Sequence, residues 1–517
     1  MLTGLILTDT QRLASTLSSN QRAVVEIIET YVSSCATYIN WQTIDLSDAM
    51  YSDLDKTDWL TYLSVLNDYY IGLGLQDRSY CPLFIIGGND IVPMPRIQNP
   101  SYSYGREFLD VDMAYCFDSY YLNIEDFICQ KPRFAVGRLP LTSDWRLNDL
   151  VEYLSCCVNF STNGLPIRGA VMTSTESWIR ASQEMMMDIP TVTLSEDYVP
   201  LNNKMIVSPL LDTDDNEWYE GYVHELKKVD FLVCNLHGCK EDDSANFFGE
   251  DRSDSEYKPT AVQPSMLEYA SPYIFNTVAC YGGRYIDYDT RVPLKREASM
   301  MQSSLAHGTM LYCGSCDTAY GGCIDGEAYG SELMIRLYNI YLHKGLPAGL
   351  ALIKAKQDFY RACHDVEGDN DAMFTVLEFN LFGCPLLSMQ PKLSDDYEPQ
   401  LLGRPIVGQS NATYRPKTTE IIWGGAYNAN NIHDYVRGLV DYNLSIIKEK
   451  IEIEVYQRLG LGKDNLQQIM RVWQGCNEVG YQFLYTSFSL QLSRHLQTTY
   501  IVATDCNGKI TKMTQSK

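Results

Sequence analysis

Two stretches decide the reading of this chain: Phe231-Leu232-Val233-Cys234-Asn235-Leu236-His237-Gly238 and Tyr273-Ile274-Phe275-Asn276-Thr277-Val278-Ala279-Cys280-Tyr281-Gly282-Gly283. Each opens as a near-continuous apolar run, the pattern of a strand buried on both faces in a parallel sheet. Each stops at a reactive side chain, His237 in one and Cys280 in the other, with glycine close behind. In open parallel sheets the ligand crevice lies at the carboxyl ends of the strands. If the two strands are neighbours, an imidazole and a thiol meet over one crevice. A thiol attacks as thiolate, and an adjacent imidazole is the group that takes its proton. Glycine without a Cβ lets backbone N–H groups approach a carbonyl, so the N–H groups of Gly238 and Cys280 are candidate oxyanion donors. A single buried cysteine or core histidine is ordinary packing. The pairing of the two strand ends is what carries the reading.

Working outward, the first half alternates short apolar runs with helix-like segments. Gly4–Leu7, Thr43–Leu46, Leu83–Ile86 and Arg133–Val136 predict strands, and Gln21–Val32, Trp59–Leu75 and Asp144–Val158 predict helices. Such alternation implies a parallel sheet covered by helices on both faces. Asn163-Gly164 with Pro166 marks a boundary. A second set follows, with strands at Gly169–Thr173, Phe231–Leu236, Tyr273–Ala279 and Gly308–Tyr312, helices at Ser331–His343 and Pro347–Cys363, and a closing stretch Phe379–Leu387. Beyond Lys392 the texture changes to a helix, Tyr435–Glu452, and hairpin-like alternation, with Asn507-Gly508 as the turn of Tyr500–Lys512. The expected fold is α/β: two adjacent α/β subdomains with mainly parallel sheets, spanning 1–163 and 164–392, and a C-terminal α+β domain spanning 393–517.

Composition narrows the function. The 517 residues are 45% apolar and 21% charged, as in a globular protein. A net charge of -24 argues against nucleic acid as a partner, which needs a basic face. No apolar run approaches the roughly 18 residues of a membrane span. Leu5-Ile6-Leu7 is broken at once by Thr8 and Asp9, so no secretory signal is expected, and sixteen irregularly spaced cysteines are expected as reduced cytoplasmic thiols.

Forty-three residues separate His237 from Cys280, near the caspase spacing of about 50, and Ala279-Cys280-Tyr281-Gly282 shares part of the caspase signature. More specifically, the chain resembles the gingipain-type peptidases, family C25 of the caspase-like clan CD, which are related to the CHAT-domain peptidases. Pro272–Phe275 leading to Ala279-Cys280 resembles their nucleophile strand. Phe84-Ile85-Ile86-Gly87-Gly88 with Ile91-Val92-Pro93, Asp112–Asp118 followed by Ala135-Val136-Gly137-Arg138-Leu139-Pro140, and Asn380-Leu381-Phe382-Gly383-Cys384-Pro385 resemble their other conserved blocks, with Cys384 in place of the usual Asp. The resemblance covers roughly residues 1–390. It implies a cysteine endopeptidase acting on protein or peptide substrates through a Cys-His dyad, with an upstream carboxylate orienting the imidazole and a later one binding Arg or Lys. Glu176 and Asp188 are the matching candidates. It further implies a regulated or latent enzyme, with an activating protease or regulatory partner, a role in bacterial defence, and calcium as the one ion to consider. The rival readings are a catalytically silent binding module of the same fold and a Cys-His transpeptidase.

Three other features carry less. Cys313-x-x-Cys316 is half of a zinc motif without a second pair, so no metal is expected there and the thiols are read as packing near the active-site floor. Asp242–Asp254 is read as a solvated acidic loop. The segment Asp287–Glu297, just after the nucleophile, carries Arg291, Lys295 and Arg296 and is read either as an ordered surface loop or as a site of self-processing.

Overall fold

A computed structural model of the chain describes residues 2–75, 80–101, 106–117, 132–187, 204–208, 215–239, 245–250, 258–322, 328–367, 369–389, 417–424, 442–474, 477–491 and 494–516. The strands, in chain order, are β1 (Leu2–Thr8), β2 (Ile39–Asp45), β3 (Cys81–Ile86), β4 (Phe134–Leu139), β5 (Ala170–Ser174), β6 (Lys204–Val207), β7 (Phe231–Asn235), β8 (Ile274–Thr277), β9 (Leu311–Ser315), β10 (Tyr320–Gly322) and β11 (Phe379–Gly383). The C-terminal region adds β12 (Lys417–Gly424), β13 (Leu466–Gln474), β14 (Asn477–Gln491), β15 (Arg494–Thr504) and β16 (Ile510–Ser516).

Ten of these form one sheet in the order β2-β1-β3-β4-β11-β9-β8-β7-β5-β6. The two α/β halves expected from the sequence are present, and they join edge to edge. The joint is β11, parallel to β4 and antiparallel to β9. Every other pairing in the sheet is parallel, so the strands of the two halves run in opposite directions. Helices cover the sheet, which is why β3, β4, β7, β8 and β9 are buried along their whole length. The helix Gln21–Cys35 shows how the sequence arranges this. Asn20 caps it by accepting from the Ala23 N–H, and Val24, Ile28, Tyr31 and Cys35 recur on one buried face.

The sequence blocks Phe84–Pro93, Asp112–Asp118 and Val136–Pro140 meet at Arg138. Its guanidinium is fully buried in β4 and grips Asp112 with two bonds of 2.7 and 2.6 Å, then donates to the carbonyls of Gly87 and Val92. Asn380, at the start of β11, receives the Asp112 N–H and donates to the Asp110 carbonyl. Gly137 has a steric reason: a Cβ there would stand 2.4 Å from the Gly383 carbonyl oxygen. These residues fasten the 87–117 excursion onto the middle of the sheet.

The C-terminal region forms a six-stranded sheet, β10-β16-β15-β14-β13-β12, against which Ile447, Ile451 and Val455 of the helix Tyr442–Leu459 pack with Phe483, Tyr485 and Val502. The expected hairpin at Asn507-Gly508 is its β15–β16 connection. Its outer strand on one side, β10, belongs to the second α/β half: Tyr320, Gly321 and Gly322 pair with Ser516, Gln515 and Thr514. Among the described residues no helix is long and apolar enough to cross a membrane.

Candidate active site

Strands β7 and β8 are hydrogen-bonded neighbours, with Phe231–Cys234 opposite Ile274–Thr277. The chain leaves β7 through Leu236 to His237 and leaves β8 through Val278 and Ala279 to Cys280. The two strand ends touch. A Cβ built on Gly238 would fall 1.7 Å from the Cys280 carbonyl oxygen, so only glycine fits there. Both His237 and Cys280 are 4% exposed.

The turn at Cys280 is tight. Tyr281 adopts φ +58°, a left-handed conformation that costs a non-glycine residue energy and is held by its surroundings. Its N–H donates to the Asp317 carbonyl, its hydroxyl pairs with Thr318, and the Gly283 N–H reaches the Ser315 carbonyl. The loop after β9 therefore forms the floor. The Cys280 thiol sits on it, 3.5 Å from the Ala319 carbonyl oxygen as donor and accepting the Ala319 N–H at 3.3 Å. Ala319 immediately precedes β10. Asp317 is fully buried and is anchored from the N-terminal half by Arg106 Nε at 2.8 Å. Cys316 donates to the Gly283 carbonyl and receives Asn380, so it is a packing thiol under the turn; Cys313 is buried in β9. Among the described residues no cluster of three or more His, Cys, Asp or Glu is arranged to hold a metal ion.

The imidazole is boxed on several sides. The Trp178 ring, on the turn after β5, lies 4.6 Å from it between centroids. At Nε2 stand Lys258 Nζ, 2.8 Å away, and the Glu250 carboxylate, 3.5 Å away. Glu176 lies on the same turn as Trp178 and is half-buried, and a second carboxylate, Glu250, stands at Nε2. Burial alone would raise the Glu250 carboxyl, but the positive field of Lys258 and the contact with His237 outweigh it and hold it at about 2. Burial pushes the Lys258 ammonium down from its ordinary value, opposed by the charges of Glu250 and Cys280.

Both groups come from the connection between His237 and Cys280, in which Asp242–Asp254, Glu250 included, was expected as a solvated acidic loop. Its described part turns inward: Phe247-Phe248 pair with His237-Gly238 on one side and with Thr260–Val262 on the other. The signal was present in the sequence as Phe247-Phe248-Gly249-Glu250, an apolar pair that a solvated loop has no use for. Asp188, the expected specificity carboxylate, lies outside the described residues.

Beside Cys280 an open cleft of about 300 Å³ is lined by Cys239, Phe247, Tyr281, Arg284 and Met300 among others. Arg284 is the charged side chain among its described lining residues. The segment after the Cys280 turn is tied down by two of its three basic residues. Arg291 binds Asp110 and the Met94 carbonyl, Arg296 binds Asp149, and Lys295 is exposed.

No known family profile matches the sequence, and no curated protein is significantly similar to it. Solved structures are similar. The chain superposes on the complex of Porphyromonas gingivalis RgpB pro- and mature domains with a TM-score of 0.50 at 9% identity, over 99% of each chain. The fold is gingipain-like. The Arg-specific cysteine proteinase gingipain R (RgpB) gives a TM-score of 0.49 at 9% identity, over 99% of this chain and 97% of that one. The Saccharomyces cerevisiae separase–securin complex gives 0.29 at 12% identity, over 48% of this chain and 14% of that one. The expected α/β architecture thus agrees with the gingipain-like fold.

The contact at Gly238 supplies a direct check. Gly238→Ala is expected to drive the two strand ends apart and lower the alkylation rate of Cys280 and any peptidase kcat/KM by about 10²-fold, the cost of a displacement near 1 Å. Wild-type rates in this variant would show that the contact does not set the geometry.

Proposed function

We propose that the chain is a cysteine endopeptidase with Cys280 as nucleophile and His237 as general base and acid. The observation that carries this is the contact between the two strand ends, which brings a thiol and an imidazole to the same end of the sheet. His237 takes the Cys280 proton, and the thiolate attacks the scissile carbonyl carbon. The oxyanion that forms is stabilised by the N–H groups of Gly238 and Cys280. As the C–N bond breaks, His237 returns the proton to the leaving amine, and water then cleaves the thioester with His237 as base. A peptide amine in place of water would make the same thioester a transpeptidase intermediate, so product analysis separates the two readings.

The preferred P1 residue is Arg or Lys, by resemblance to gingipains and in keeping with the net charge of -24. Lys295, the exposed basic residue of the post-nucleophile segment, is then the first candidate for self-cleavage. The test is a peptide library digested by wild type beside Cys280→Ala, with cleavage sites read by mass spectrometry. Cysteine-dependent cuts after Arg or Lys are expected. Cuts after Asp or Glu would overturn the basic preference and make Arg284 the specificity group. Absence of any cysteine-dependent product would leave the chain a binding module.

A further inference from the structure

Glu378 is the one carboxyl in the run Met373-Phe374-Thr375-Val376-Leu377-Glu378-Phe379-Asn380-Leu381-Phe382. It ends the helix Asp369–Glu378, directly before β11, and is fully buried. Its two oxygens meet hydroxyls rather than a cation: Ser331 Oγ stands 2.9 Å from Oε1, and Ser315 Oγ stands 3.0 Å from Oε2. The Lys356 ammonium, on the helix Ala348–Glu367, donates to the Phe379 carbonyl at 2.6 Å instead. Asp317, fully buried in the loop after β9, adds a negative charge nearby. Burial holds the Glu378 carboxyl well above the ordinary carboxylate range, reinforced by Asp317 and opposed by the two hydroxyls and Lys356.

The protons around Ser315 are few enough to count. Its hydroxyl has one. Ser315 Oγ lies 2.8 Å from the Asp317 carbonyl oxygen, which has none to give, and it accepts the Asp317 N–H at 3.1 Å. With the hydroxyl proton on this shorter contact, the one between Ser315 Oγ and Glu378 Oε2 has a proton only when the carboxyl supplies it. Ser331 completes the other side, accepting the Tyr320 N–H at 3.1 Å and donating to Glu378 Oε1. Ser315 and Tyr320 are the two ends of the loop whose Ala319 N–H donates to the Cys280 sulfur. Resting on the assignment of Cys280 as nucleophile, we propose that Glu378 is a positioning residue in the form of a neutral carboxylic acid, giving its proton to Ser315 and fastening both ends of the loop that cradles the Cys280 sulfur. The Ala319 N–H is thereby held on the sulfur, where a donor favours thiolate over thiol. Ionised, the same carboxyl would draw the Ser315 proton away from the Asp317 carbonyl, the group that also accepts the Tyr281 N–H of the Cys280 turn.

The test uses the full chain and two readouts. The first is the infrared difference spectrum of wild type against Glu378→Gln at neutral pH, which is expected to show a protonated-carboxyl band in the wild type. The second is the rate of Cys280 alkylation by iodoacetamide as a function of pH, read by mass spectrometry. Glu378→Gln replaces the O–H donor by an N–H donor and keeps the acceptor for Ser331, so it is expected to keep the wild-type profile. Glu378→Met removes both, and its rate at neutral pH is expected to fall about tenfold, the worth of one hydrogen bond to a charged group, with the profile displaced to higher pH. If Glu378→Met does not fold, Ser315→Ala takes its place and is expected to show the same fall. Absence of the carboxyl band, a Glu378→Gln as slow as Glu378→Met, or an unchanged or faster rate in Glu378→Met overturns the proposal. Neither readout involves a substrate. A chain that meets both expectations yet cleaves no peptide would reject the peptidase reading only, and a cleaving enzyme that fails either would reject the role of Glu378 only.

Discussion

Replacing Cys280 by alanine is expected to abolish peptide cleavage, a fall of at least about 10⁴-fold in kcat, with little change in melting temperature. The structural cost is small because Sγ makes only weak sulfur hydrogen bonds to the Ala319 backbone. The chemical cost is complete, since no neighbouring group replaces the thiolate. His237→Gln should match it, keeping a polar side chain between Trp178 and Lys258. The double variant should be no worse than either single one, because thiol and imidazole act as one unit. Cleavage at near wild-type rate in Cys280→Ala would reject the nucleophile. Additive losses in the double variant would reject the dyad.

The second large effect is on stability. Arg138→Met is expected to cost about 3–5 kcal/mol, because it leaves Asp112 as an uncompensated charge in a buried site. It also orphans the Gly87 and Val92 carbonyls that the guanidinium served. Asp112→Leu combined with Arg138→Met should recover a good part of the loss, since replacing both charges removes the unpaired one. Urea unfolding of the single and double variants measures both. A single-variant cost under about 1 kcal/mol, within the range of an exposed pair, would mean that this ion pair does not fasten the 87–117 excursion to the sheet.

Much of this was legible in the sequence. Strands such as Phe231–Asn235 announce themselves because burial on both faces permits no polar alternation, and the helix Ser331–His343 fell where its spacing placed it. The meeting of the two strand ends that carry His237 and Cys280 was legible because a chemical side chain ended each of two apolar runs. Three things were not. The direction of β11 depends on long-range pairing that no local pattern encodes, so the union of two halves into one sheet was hidden. Glu250 and Lys258 were lost in an acidic stretch whose average polarity masked a Phe-Phe pair turning inward. The pairing of β10 with β16 joins two segments with no shared local signal, the second of which was read only as half of the Tyr500–Lys512 hairpin.

That last pairing sets an order in time. Tyr320–Gly322 leaves the ribosome roughly 190 residues before Thr514–Ser516, its strand partner. At about 5–20 residues per second this is an interval of about 10–40 s, added to whatever the C-terminal sheet needs to fold. Throughout it, the loop that cradles the Cys280 sulfur has one edge of backbone groups unpaired. The nascent second α/β half therefore spends that interval with its sulfur cradle unfinished, in the crowded company of other newly made chains. A segment synthesised much later is the one that closes it.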